Sequence, residues 1–195
     1  MKDAIETRKN ILIAGGTGSG KTTFVNAILD SLSKLRGEDR VLILEDTVEL
    51  QCKMPNVFAM RTDVRSNVTM QKLVRASLRL RPDRIIVGEV RGGEALDLLK
   101  SWNTGHPGGV CTIHANSAQS SLIRMEQLIS EVSKTPMKDL IGEALDVVVF
   151  LKRVAQKGPV VDEILEVSGV QSGEYQYRVV EVVERGGNSF VSENR

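Results

Sequence analysis

An open α/β sheet, mostly parallel and covered by helices on both faces, is the fold class this sequence predicts. Three observations point to it. Short runs, nearly all apolar, recur along the chain as ILIA (Ile11–Ala14), VLIL (Val41–Leu44), RIIVG (Arg84–Gly88), VCTI (Val110–Ile113) and VVVFL (Val147–Leu151). Continuous, β-branched runs of this length suit strands buried on both faces, the condition of a parallel sheet. Segments of helical periodicity lie between them, and strand–helix alternation reads as α/β. After the last run the pattern changes to two strand-like segments around a turn, predicting an added antiparallel pair.

In chain order, ILIA is a strand that runs into GGTGSGKT, and Thr22–Leu35 is the helix that follows. VLIL is a second strand, leading directly into Glu45 and Asp46, with Glu49 just beyond. A helix beginning near Thr69 places Met70, Leu73, Val74 and Leu78 on one face. RIIVG is the next strand, followed by a helix over Gly93–Trp102. VCTI follows, then a helix over Ala118–Glu131 with Asn116 or Ser117 as its N-cap. A helix over Met137–Ala144 precedes VVVFL. Finally, VVDEILEVSGV and YQYRVVEVV flank the turn-prone QSGE. One domain over residues 1–185 is expected, with a frayed tail over 186–195.

Bulk properties agree with a globular chain. At 195 residues it can bury a sizeable core without disulfides or metals. Apolar residues make up 41% and charged residues 26%, which excludes wholesale disorder. The net charge of +1 argues neither for nor against a nucleic-acid partner. Cys52 and Cys111 are too few for a disulfide framework, so a reducing compartment is expected. No apolar run approaches the ~20 residues of a membrane span. The N-terminal apolar stretch falls short of the ~7–15 residues of a signal-peptide core, so a cytoplasmic protein is expected.

The segment GGTGSGKT matches G-x-x-x-x-G-K-[ST], and its context gives the match its weight: it follows a strand and opens a helix. Gly15, Gly18 and Gly20 let the backbone N–H groups turn inward around phosphate oxygens. The helix N-terminus adds partial positive charge. Lys21 would reach the β/γ-phosphates, and the Thr22 hydroxyl would ligate Mg²⁺. The expected nucleotide-binding set is Gly15, Gly16, Thr17, Gly18, Ser19, Gly20, Lys21, Thr22 and Thr23.

Ligands of open α/β sheets sit beyond the carboxyl ends of the strands. Three further strand ends deliver Glu45 with Asp46 and Glu49, Glu89 with Arg91, and His114. Phosphoryl transfer needs an aligned water, a metal and positive charge around the γ-phosphate. Glu45 and Glu89 are therefore candidates to activate the water and to support the metal. Gly88 occupies the strand end where an aspartate usually supports Mg²⁺, so that support must come from Glu89, Glu45 or Asp46 through water. Both histidines lie in TGHPGGVCTIHANS. The spacing of His106, Cys111 and His114 has a superficial likeness to zinc ligation, but strand alternation puts Cys111 and His114 on opposite faces. His114 is better read as a sensor whose imidazole hydrogen-bonds the γ-phosphate or its water shell. His106 is the weaker candidate.

With these residues in place, the constellation resembles the type II/type IV secretion traffic ATPases. GGTGSGKT matches the Walker A motif, LILEDTVEL the Asp box, RPDRIIVGEVRGGEA an atypical Walker B, and TGHPGGVCTIHANS the His box. The four occur in the family's order over roughly Asn10 to Arg153, and LLKSWNTGHPGG is most similar to the conjugative-transfer (TrbB-type) branch of type IV secretion. The resemblance implies a RecA-like P-loop NTPase fold, ATP and Mg²⁺ as cofactors, and a homohexameric ring. It also implies partners among the secretion machinery at the cytoplasmic face of the bacterial inner membrane. It favours Glu45 as the water-activating base and places Glu89 near Mg²⁺.

The family's N-terminal domain has no counterpart before ILIA, so weak nucleotide affinity and weakened ring assembly are expected of this chain. Alternatives are a pilus assembly, retraction or type II secretion ATPase, a P-loop kinase, or a nucleotide-binding module without turnover. Eight basic residues lie between Arg61 and Arg91 (Arg61, Arg65, Lys72, Arg75, Arg79, Arg81, Arg84, Arg91), against three acids. Some of them are candidates to neutralise phosphate charge across a subunit boundary. Direct DNA binding is not expected, since the chain lacks both a broad basic face and aromatic stacking platforms.

Overall fold

A computed structural model describes residues 1–180. The end of the expected domain and the tail over 186–195 lie outside the described residues. In chain order the elements are α1 (Lys2–Glu6), β1 (Ile11–Gly15), α2 (Lys21–Leu35), β2 (Val41–Glu45), β3 (Val57–Arg61), α3 (Met70–Ser77) and β4 (Arg84–Val87). They continue with α4 (Glu94–Asn103), β5 (Val110–Ile113), α5 (Ala118–Ser130), α6 (Lys138–Ala144), β6 (Val147–Val154), β7 (Gly158–Gln171) and β8 (Glu174–Val180). The strands form one sheet in the order β3-β2-β4-β5-β1-β6-β7-β8. Pairing is parallel from β3 through β6 and antiparallel from β6 to β8.

The continuous apolar runs are explained by two cores, one on each face. Leu12 and Ala14 of β1 join Leu44, Val87 and Cys111 under α3–α6. Ile11 and Ile13 of the same strand pack with Val25, Leu29 and Leu32 of α2 and with Ile5 of α1. Each central strand thus loses both faces to helices, and alternation between polar and apolar residues disappears. Among the described residues no helix is long and apolar enough to cross a membrane.

Several elements differ from the sequence reading. The α3 helix ends at Ser77, and Leu78 starts a 3₁₀ turn with 39% of its surface exposed, so it does not complete the face of Met70, Leu73 and Val74. Arg81 closes that turn in a left-handed conformation. The edge strand β3 carries no burial pattern, Phe58 being half exposed, which hid it from any periodicity argument. The α1 helix, five residues long, buries only Ala4 and Ile5. At the other edge, β6 runs three residues past Leu151 and turns back onto β7, with a register shift between Phe150 and Leu151. The expected β7–β8 pair is present, joined at Ser172 and Gly173, both left-handed as a two-residue hairpin turn requires.

Opposite the carboxyl ends of the strands, Arg84 ties the base of the molecule together. It is 2% exposed and donates from Nε to Asp39 Oδ2 at 2.7 Å, from Nη2 to the Ile5 carbonyl at 2.9 Å and from Nη1 to the Gly108 carbonyl at 3.2 Å. Arg8 donates to the other Asp39 oxygen at 2.7 Å. Burial lowers the Arg84 pKa, and the hydrogen bond and charge of Asp39 oppose that shift. Arg84 is therefore a structural cation, and its candidacy for a subunit boundary is withdrawn. Replacing Asp39 with alanine strands a buried guanidinium and is expected to cost about 3–5 kcal/mol, measured by urea unfolding. A loss below 1 kcal/mol would count against this account.

The glycines of TGHPGG serve the same base. A Cβ on Gly109 would overlap the Trp102 indole, and Gly108 has a positive φ against the Arg84 guanidinium. The Asn10 side chain accepts hydrogen bonds from both glycine N–H groups, at 2.8 and 3.0 Å.

Candidate functional site

The chain leaves β1, passes through α2 and re-enters the sheet at β2, with β5 and β4 lying between. A change of direction of this kind opens a cleft at the carboxyl ends of the strands. The cleft here has a volume of about 500 Å³ and is lined by residues 17–23, the loop after β2, the end of β4, Thr112 and His114 of the β5 end, Arg153 and Pro159.

The course of the loop between β1 and α2 follows from its glycines. Gly18 and Gly20 have φ of +69° and +91°, values that L side chains rarely adopt, and they turn the loop around the N-terminus of α2. No side chain caps that helix, and its first turn holds no acid, so its leading N–H groups are suited to an anion. Lys21 Nζ donates to the carbonyls of Gly15 and Gly16 at 2.8 and 3.0 Å. Burial lowers the Lys21 pKa; nearby Glu89 opposes the shift and Arg91 adds to it.

The strand-end residues meet around this loop. Glu45 is 4% exposed, and its Oε1 accepts the backbone N–H groups of Glu49 and Leu50 at 2.9 and 2.8 Å. Gly88 explains itself here. A Cβ on it would stand 3.3 Å from Glu45 Cγ, so any side chain at the end of β4 presses on the buried glutamate. Glu89 is held from both sides, by His114 Nε2 at 3.0 Å from Oε1 and by Arg91 Nη2 at 2.7 Å from Oε2. Arg91 also reaches Asp46 at 3.4 Å, and Asp46 accepts from the Thr62 hydroxyl at 2.8 Å. Glu49 accepts from the Thr22 hydroxyl at 2.9 Å. Ser117, the N-cap of α5, forms a capping box with Ser120 three residues past His114.

Thus Lys21, Thr22, Glu45, Asp46, Glu49, Glu89, Arg91 and His114 all border one cleft. His106 does not. Its Nδ1 lies 3.0 Å from the Pro82 carbonyl, before the start of β4, which puts it at the opposite end of the strands. The three residues of the zinc-like spacing are accordingly dispersed, with Cys111 in the core under the helices and only His114 in the cleft. Of the basic stretch, Arg75 pairs with Asp97 at 3.1 Å and Lys72 donates to the Asn67 carbonyl at 2.6 Å.

Sequence reasoning missed Arg153, Pro159 and Asn26. Arg153 donates to the Gly18 carbonyl at 3.4 Å, and Pro159 packs over Gly20, where an added Cβ would come within 2.8 Å of it. Both arrive through the β6–β7 turn, and extending the VVVFL strand past Leu151 was the available signal. Asn26 follows Thr22 by one helical turn. Its Nδ2 donates to the Glu49 carbonyl at 3.2 Å, and its Oδ1 accepts from the Gln51 N–H at 2.7 Å.

The donor chemistry fits a nucleotide with a hard divalent cation. Four carboxylates (Glu45, Asp46, Glu49 and Glu89) face three cations (Lys21, Arg91 and Arg153) across the cleft. A polyphosphate adds further negative charge, so a cation must accompany it. The available ligands are oxygens, the preference of Mg²⁺, which binds through a few protein oxygens together with substrate phosphates and water. Among the described residues no group of three His, Cys, Asp or Glu side chains is arranged to hold a metal by itself.

Comparison with known proteins shows what the chain is similar to. The family described as type II/IV secretion system protein matches residues 1–179. The conjugal transfer protein TrbB of Rhizobium radiobacter is 51% identical over 176 residues, covering 90% of this chain and 54% of the relative. The type IV secretion system protein VirB11 of Bartonella henselae is 33% identical, covering 80% of this chain and 46% of the relative. The chain therefore spans about half the length of the curated relatives it matches. Among solved structures, the VirB11 ATPase of Brucella suis in complex with sulphate superposes with a TM-score of 0.77 at 28% identity, over 85% of this chain and 50% of the other. The pilus retraction motor PilT with bound ADP shares the fold at a TM-score of 0.63 and 24% identity, over 81% of this chain and 47% of the other.

Proposed function

The chain belongs to the type II/IV secretion system protein family, and from that premise we propose that it is the ATP-hydrolysing part of a motor subunit serving conjugative transfer by type IV secretion. The observation that carries this reading is the convergence of Lys21, Glu45, Glu89 and His114 on one cleft beside an uncapped helix N-terminus. ATP would lie with its phosphates in the Gly15–Thr23 loop and its β/γ-phosphates against Lys21. Mg²⁺ would be held by the Thr22 hydroxyl and, through water, by Glu89; it supplies charge neutralisation of the phosphates.

Glu45 is the water-activating base in this proposal. Its Oε1 is anchored by two backbone N–H groups, which fixes the carboxylate against the cleft wall and leaves Oε2 as the acceptor for a water proton. Arg91 and Arg153 offset negative charge near the γ-phosphate. His114, whose Nε2 lies 3.0 Å from Glu89 Oε1, is the sensor, and the capped α5 that follows carries its displacement outward. The proposal extends to a homohexameric ring, to machinery partners at the cytoplasmic face of the inner membrane, and to no direct contact with DNA.

Phosphate release from Mg-ATP by the purified chain, with and without small hydroxyl acceptors, tests the reaction class. Acceptor-independent release supports the motor reading; consumption only with an acceptor would replace it by a kinase. For the sensor, His114→Ala should leave ADP affinity within about threefold and shrink the ratio of ATP to ADP affinity by about tenfold, as loss of one charge-assisted contact to the γ-phosphate implies. An unchanged ratio removes His114 from that role.

A further inference from the structure

We infer that Glu49 is a positioning carboxylate for the magnesium ion at Thr22, serving where the end of β4 offers only Gly88. The inference rests on the proposed nucleotide site and deepens it. Of the four carboxylates in the cleft, three have other direct partners: Glu45 has the backbone N–H groups of Glu49 and Leu50, Asp46 has Thr62 and Arg91, and Glu89 has His114 and Arg91, which leaves Glu89 to support the cation through water alone. Glu49 alone engages the hydroxyl that would ligate the cation, at 2.9 Å.

Its placement is built rather than incidental. The loop after β2 is fastened to the first turns of α2 at three points: Glu49 Oε2 by the Thr22 hydroxyl, the Glu49 carbonyl by Asn26 Nδ2, and the Gln51 N–H by Asn26 Oδ1. The Glu49 N–H in turn donates to Glu45 Oε1. Residue 49 therefore joins the Thr22 hydroxyl to the proposed base through its own side chain and backbone N–H. A carboxylate accepting from a ligating hydroxyl orients that oxygen's remaining lone pairs towards the cation and strengthens it as a ligand. An aspartate at residue 88 would bring its Cβ within 3.3 Å of Glu45 Cγ and press on the proposed base.

The test measures ADP affinity calorimetrically, in Mg²⁺ and in EDTA, for the full chain and for Glu49→Gln and Glu49→Ala. Glutamine keeps an oxygen for the Thr22 hydroxyl and removes only the charge. Metal-free ADP affinity should stay within about twofold of the unsubstituted chain, and the enhancement by Mg²⁺ should fall about tenfold or more in both variants, as loss of such an outer carboxylate implies. Mn²⁺ titration followed by electron paramagnetic resonance in saturating ADP should show the same weakening without any turnover. An Mg²⁺ enhancement equal to that of the unsubstituted chain in both variants overturns the inference and leaves the nucleotide site standing. Equal losses with and without metal also overturn it, since Glu49 would then only shape the loop. Failure of the unsubstituted chain to bind ADP overturns the nucleotide site itself, and this inference with it.

Discussion

Lys21→Ala is expected to lower ADP and ATP affinity by about 10- to 100-fold, the worth of one charge-assisted contact to phosphate, and to remove measurable phosphate release. The expectation follows from where the ammonium sits. It crosses the phosphate loop to the Gly15 and Gly16 carbonyls and borders the same cleft as Glu45 and Glu89. Alanine leaves the glycine geometry intact, so the variant should fold and its unfolding midpoint should change little.

The lysine also sets a pH dependence with a definite sign. Burial lowers its pKa from the ordinary value, and a bound phosphate anion favours the charged form and raises it again. Binding is therefore coupled to proton uptake at alkaline pH. Affinity should fall as pH rises through the lowered Lys21 pKa, by at most about tenfold per pH unit for one proton. Titrations of ADP binding between neutral pH and pH 10 check the slope, and the Lys21→Ala variant should lose it. A slope retained in that variant would assign the effect to another group.

Glu45→Gln is expected to slow hydrolysis by about 10²–10⁴-fold, the usual contribution of a positioned general base, with nucleotide affinity preserved. The substitution is conservative in the structural sense. A glutamine carbonyl can still accept the N–H groups of Glu49 and Leu50, so the loop keeps its anchor while the proton acceptor is lost. Single-turnover phosphate release and ADP affinity, measured on the same preparation, separate chemistry from binding. A rate within threefold of the unsubstituted chain would transfer the role to Glu89. Glu89 is the less suited of the two as it stands, since both of its oxygens are engaged by cationic or imidazole groups.

Much of this was legible in the residues. The central strands announce themselves because each is buried on both faces and reads as a continuous apolar run. The phosphate loop announces itself because left-handed turns at Gly18 and Gly20 admit few other residues. The strand-end acids and His114 are placed by parallel topology, which sends every carboxyl end to the same edge. The edge strand β3 escaped notice because its residues are exposed and carry no period, and Leu78 was misplaced because nothing local marks the switch from α to 3₁₀ geometry. His106 shares a motif with His114 yet lies at the far end of the strands, because β5 separates them by its full length.

What the sequence by itself determined was the fold class, the glycine-rich loop and the identity of the groups that border the cleft beside it, since these depend on local backbone preference and on the period of burial. What only the tertiary structure decided was which of those groups touch: Glu89 between His114 and Arg91, Glu49 on Thr22, Arg84 withdrawn to a buried pair with Asp39, and Arg153 and Pro159 brought over the phosphate loop by a hairpin. Hydrogen bonds act over about 3 Å and join residues tens of positions apart. Their pairing is set by strand order and register, which no local stretch of sequence encodes.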